Sequence, residues 1–169
     1  MSRVVVDSST LILLAKCGLL QTVCDLFDIV VPEAVNREVA SEDLVKIYPD
    51  AALISDLTAK GAIKVQSIAN SDRFMLPLSL HEGEQDALLL ALKLGKILLA
   101  TDDGKAIKAA RFVKVPFIIT PKIVVDLFRL RKISLKKARE SLEKLTKIGR
   151  YSPEIIADAL ISLMEEKNG

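Results

Sequence analysis

The chain has 169 residues, 50% apolar and 27% charged, with a formal net charge of +2. That balance suits one folded domain with a sizeable core and excludes a disordered or low-complexity chain. No apolar run approaches the roughly 18 residues of a membrane span, and the opening MSRVVVD meets an acid too early for a signal peptide. A cytoplasmic protein with no membrane partner is the expectation. Cys17 and Cys24, on predicted helices among apolar neighbours, read as buried thiols rather than a disulfide.

In chain order, Arg3 to Val6 is a short β-branched run without alternation, as in a strand buried on both faces. It ends at Asp7, and Ser8-Ser9-Thr10 opens a helix to about Lys16 that Gly18 breaks. Leu19 to Phe27 predicts a second helix and Ile29 to Val31 a second strand. Pro32 is placed to start a helix running through Glu38. Ser41 to Lys60 reads as two helices separated at Pro49, Ile63 to Ile68 as a third strand, and Ala69 to Ser79 as a loop. A central helix over about 82–94 precedes the strand Ile97 to Thr101. A basic helix with Lys105, Lys108 and Arg111 then leads to the strand Phe117 to Ile119. From Thr120 the pattern is helical throughout, with starts at Thr120-Pro121, Ser134 and Ser152-Pro153.

Strands alternating with helices imply an α/β fold, a central parallel sheet of about five strands with helices on both faces. We read residues 1–131 as the main domain and 132–169 as a helical C-terminal extension of it.

Charge is unevenly spread. Residues 1–103 hold 9 basic and 15 acidic side chains, and residues 104–150 hold 14 basic and 3 acidic. A polyanion steered by the basic part toward an acidic, metal-holding part would use this asymmetry, although lysines and arginines also simply solvate helix faces.

The stretch LHEGEQDALLLALKLGKILLATDD concentrates the acids. A helix of about ten residues and a following strand return the chain to one level, at about 1.5 and 3.3 Å per residue. Glu84 and Asp86 can therefore meet Asp102 and Asp103 at a sheet edge. Ligands of open parallel sheets bind beyond the carboxyl ends of the strands, where Asp7 and Asp102 both fall. Gathered carboxylates repel, and a hard divalent cation offsets that repulsion, with Mg²⁺ or Mn²⁺ suiting an oxygen-only site. Glu38 lies beside the apolar stripe of Val35 and Val39. Glu84 and Asp86 are about 200° apart on a helix, and periodicity makes Glu84 the inward-facing one while Asp86 shares a face with Lys93. Of Asp102 and Asp103, one is free to bind metal while the other caps the next helix. Ser9 and Thr101 place hydroxyls at the same edge, where they can orient carboxylates or waters or simply cap. Glu82 reads as a helix-start charge and His81, the only histidine, as a loop residue.

The ordered set VVVDSSTLI, VPEAVNREV, EGEQDALLLALKLG and ILLATDD resembles the PIN-domain nucleases, and within them the VapC-type toxins of toxin–antitoxin pairs. The resemblance spans roughly residues 1–131 and implies a PIN-like three-layer sandwich. By position, Asp7, Glu38 and Asp86 match the first three family acids, and Asp102 or Asp103 the fourth. The flap-endonuclease relatives use both acids of a string like EGEQDA, which adds Glu84. The implied activity is Mg²⁺-dependent (or Mn²⁺-dependent) endoribonuclease cleavage of RNA by metal-activated water, with Lys105, Lys108 and Arg111 on the RNA backbone. The implied partners are an RNA substrate, a small antitoxin protein and a second copy of the chain in a homodimer. Rival readings are a PIN-type nuclease of RNA processing or DNA repair, a phosphate-handling domain using Asp7 as nucleophile, and a non-catalytic binding module.

Overall fold

The computed structural model describes residues 1–75 and 79–168. The chain divides into two compact units, Met1–Ile118 and Ile119–Gly169. The boundary read from the sequence, after residue 131, lies one helix further on.

The first unit opens with β1 (Arg3–Val6), whose three valines are buried. Then come α1 (Ser8–Lys16), α2 (Leu20–Leu26), β2 (Asp28–Pro32), α3 (Glu33–Ala40), α4 (Glu42–Ile47), α5 (Pro49–Ala59) and β3 (Ile63–Gln66). A short 3-10 turn, Asn70–Met75, leads toward α6 (Glu82–Lys93), β4 (Leu98–Ala100), α7 (Gly104–Phe112) and β5 (Phe117–Ile118).

All strand pairs are parallel and the order is β3-β2-β1-β4-β5. The chain moves outward from β1 to β3, then returns to the other side of β1 to lay down β4 and β5. The order therefore reverses between β1 and β4, the point beyond whose strand ends open α/β sheets bind their ligands. Register aligns the two strand ends: Val6 stands opposite Ala100, and the Asp7 amide donates to the Ala100 carbonyl at 3.1 Å. Asp7 and Thr101 are thus the first residues beyond two adjacent strands.

Helix α6 packs on β1, β2 and β4, burying Ala87 to Ala91 without interruption. An unbroken apolar run of that kind is what a helix between a sheet and other helices requires. Alanines at 106, 109 and 110 let α7 approach α6 closely. The result is the three-layer α/β sandwich expected from the sequence.

Two local expectations change. Pro32 ends β2 and occupies the N-cap position of α3 instead of its first turn. The third strand stops at Gln66, and part of the expected 69–79 loop is the 3-10 turn over Asn70–Met75. Positions 76–78 of that stretch lie outside the described residues. Cys17 and Cys24 are both buried, and burial pushes the Cys24 thiol up to about 11.

The second unit consists of α8 (Thr120–Arg129), α9 (Leu135–Ile148) and α10 (Pro153–Asn168), each in contact with the other two. Pro121 stands in the first turn of α8, and the Ser134 hydroxyl accepts the Lys137 amide at 3.0 Å to start α9. Among the described residues no single helix is long and apolar enough to cross a membrane.

Candidate active site

Asp7 is 2% exposed and serves two elements at once. Its Oδ1 caps α1, accepting the Thr10 amide at 3.1 Å and the Ser9 hydroxyl at 2.9 Å. Its Oδ2 accepts the Thr101 hydroxyl from the end of β4. Every partner is neutral, so burial dominates and pushes the carboxyl up to about 6, with Asp102 adding to the rise and the three hydrogen bonds opposing it. A carboxylate offers about four acceptor positions, which leaves room for one further ligand.

Asp102 accepts the Thr10 hydroxyl at 2.7 Å. Thr10 therefore ties both acids together, its amide on Asp7 and its hydroxyl on Asp102. Asp103 caps α7 through the Ala106 amide at 2.8 Å, while its own amide donates to Thr101 Oγ1 at 3.3 Å. Glu84, in the first turn of α6, is raised above the ordinary carboxylate range, first by burial and then by the charge of Asp103 beside it. Glu38, near the end of α3, accepts the Ser8 hydroxyl at 2.5 Å and the Gly83 amide at 3.2 Å. A Cβ on Gly83 would overlap the Glu38 carboxylate, so any larger residue there would displace that carboxylate from the Gly83 amide.

Asp7 and Asp102 thus share Thr10 and repel each other, Glu84 lies beside Asp103, and Glu38 is held by Ser8 and the Gly83 amide. Asp86 has a different environment. It is 1% exposed, and Arg73 from the 3-10 turn grips it bidentately, Nε on Oδ1 at 3.0 Å and Nη2 on Oδ2 at 2.7 Å. Arg73 also reaches Glu82 at 3.1 Å. The expectation that Glu84 is the inward-facing acid is therefore corrected, since Glu84 is half-buried and Asp86 fully buried. The cause is the 3-10 turn, which covers the Asp86 face and also pairs Asp72 with Lys93 at 2.6 Å.

His81 is an exposed N-cap residue whose amide donates to Glu84 at 3.2 Å. Lys105, Lys108 and Arg111 lie on the exposed side of α7, with the Arg111 guanidinium 5.2 Å from the centre of the Phe117 ring. Sequence reasoning singles out neither Thr10, Gly83 nor Arg73. Glycine in the first turn of a predicted helix, where it costs about 1 kcal/mol, was the available signal for Gly83.

The donor set is carboxylate and hydroxyl oxygen only, which fits a hard divalent cation in chemistry. Among the described residues no three acidic, histidine or cysteine side chains stand close enough to chelate one as they are placed.

An open α/β sheet with a carboxylate cluster at its switch point defines a class of polar-site domains. The family model DUF3368, described as a PIN domain, matches residues 3–166, and the chain belongs to that family. The match continues through the C-terminal helices, beyond the 131 residues that the motif resemblance covers. PIN domains are generally nucleases and typically use divalent metal ions, so the activity class is nuclease. No curated protein matches the chain.

Proposed function

We propose that the protein is a Mg²⁺- or Mn²⁺-dependent endoribonuclease, with the toxin of a type II toxin–antitoxin pair and a nuclease of RNA processing or DNA repair as the two roles open to it. The observation that carries the reading is the linkage of Asp7 to Asp102 through Thr10 and Thr101 across two neighbouring strand ends. Asp7, Asp102, Glu84 and Glu38 are the assigned metal ligands, with Asp103 beside them; Asp86 joins only by exchanging Arg73 for the ion. A divalent cation bound there would polarise a phosphoryl oxygen and lower the pKa of its water.

The chain's own groups have separable tasks. Ser9, Thr10 and Thr101 orient the Asp7 and Asp102 carboxylates by donating to them. Ser8 and the Gly83 amide hold Glu38 toward the same side. Lys105, Lys108 and Arg111 would hold the phosphate backbone of RNA approaching along α7.

Cleavage of a mixed RNA pool with Mg²⁺, Mn²⁺ or EDTA tests the activity. Wild type should cleave with either metal and not with EDTA. Asp7→Asn and Asp102→Asn should each lose at least about a hundred-fold, more than loss of an outer-shell partner costs. Metal-independent cleavage, or full activity in Asp7→Asn, would end this reading. Growth arrest on expression, relieved by a small protein encoded next to the gene, separates a toxin from a nuclease of RNA processing or DNA repair.

A further inference from the structure

Helix α7 begins directly after Asp103, whose carboxylate caps it, and carries the chain away from the acid cluster. Its sequence, GKAIKAARF, contains three cations and no acid. Ala106, Ala109 and Ala110 are buried, while Lys105, Lys108, Arg111 and Phe112 are exposed. Lys105 stands in the first turn, where positive charge opposes the helix dipole, so helix stability alone would not select it. Among the described residues Lys105 and Lys108 form no ion pair. By contrast, α8 and α9 neutralise cations within the helix, as in Lys122–Asp126, Lys136–Glu140 and Lys147–Glu143.

Phe112 ends the same helix with 79% of its surface exposed. Seven residues make nearly two full turns, so Phe112 lies within about 20° of Lys105 around the axis and about 40° from Lys108. The three form one stripe about 10 Å long. A stripe that combines backbone-binding cations with an open aromatic face is how proteins hold single strands, phosphates on the cations and an unstacked base on the ring. Protein interfaces have the opposite composition, with charge depleted around the aromatic core.

We infer that Phe112 is a base-stacking platform for single-stranded RNA whose phosphates lie along Lys105 and Lys108 as the strand enters the carboxylate site. The inference rests on the ribonuclease reading and adds to it a residue that would hold one unpaired base. A duplex keeps its bases stacked inside and offers nothing to the ring.

The chain has no tryptophan, so Phe112→Trp places a single indole at the platform. Binding of a labelled 12-nucleotide single strand, and of the same sequence as a duplex, would be followed by anisotropy in EDTA. Phe112→Ala and Phe112→Leu should each weaken single-strand binding roughly ten-fold and leave duplex binding unchanged. Phe112→Trp should bind like wild type, with its emission quenched by the single strand. Unchanged single-strand affinity in Phe112→Leu, or unquenched emission at saturating RNA, overturns the inference. So does a drop in molar mass by light scattering for Phe112→Ala, which would make the ring a contact between copies. A wild type that cleaves and binds while the variants behave identically removes this inference alone; a wild type that neither binds nor cleaves removes the ribonuclease reading with it.

Discussion

The two most deeply buried carboxylates, Asp7 at the β1–β4 edge and Asp86 on α6, sit in opposite chemical surroundings. Asp86 meets a guanidinium in a two-pronged grip, so its charge is matched inside the protein. Asp7 meets two hydroxyls and an amide, which orient it and leave its charge uncompensated, and its carboxyl is pushed up to about 6. Depth of burial is the same for both. The partner's charge distinguishes a strut from a candidate ligand.

The strongest way to break this contrast is to remove the partner of Asp86. Arg73→Ala strands a buried charge, and such losses cost about 3–5 kcal/mol. Urea unfolding should show that loss, and Arg73→Met combined with Asp86→Leu should recover most of it. An Arg73→Ala protein as stable as wild type would mean that Asp86 is not a strut.

The next effect belongs to Asp7 and has a definite sign. Its folded pKa, about 6, lies above the ordinary 3.8, so the folded chain binds the proton more tightly than the unfolded one. That contribution is fully present below pH 3.8 and is lost as pH rises through about 6, amounting to about 3 kcal/mol. Metal-free stability measured from pH 4 to 7 should carry this fall in wild type and lack it in Asp7→Asn. Added Mg²⁺ or Mn²⁺ should restore wild-type stability at pH 7 and lose that power below about pH 6, where protons compete.

The smallest effect lies on α7. Removing Lys105 or Lys108 should lower the slope of log affinity against log salt by about 0.7 each for a single strand. Removing Lys136 from α9, already facing Glu140, should leave the slope unchanged. Equal effects from both helices would mean that the basic half acts only as a diffuse field.

The sheet edge was readable because its determinants are local. Valine runs mark the strands, and the acids that end β1 and β4 can be placed at one level by rise per residue alone. The Glu84–Asp86 choice was not readable in this way. Helical phase sees only the residues of its own helix, and the Asp86 face is covered by the 3-10 turn, a stretch without periodic pattern. Lys93, which suggested solvent on that face, instead answers Asp72 of the same turn. Thr10 escaped notice because its double bond, amide to Asp7 and hydroxyl to Asp102, needs two strands to be neighbours first.

Asp7 and Asp103 each begin a helix as well as lining the acid cluster. Folding and chemistry therefore place independent demands on the same two side chains. A descendant that had given up cleavage would still gain from keeping both acids as caps, so finding them in another chain reports on architecture as much as on activity. Asparagine, which caps nearly as well without the charge, is the substitution that separates the two demands.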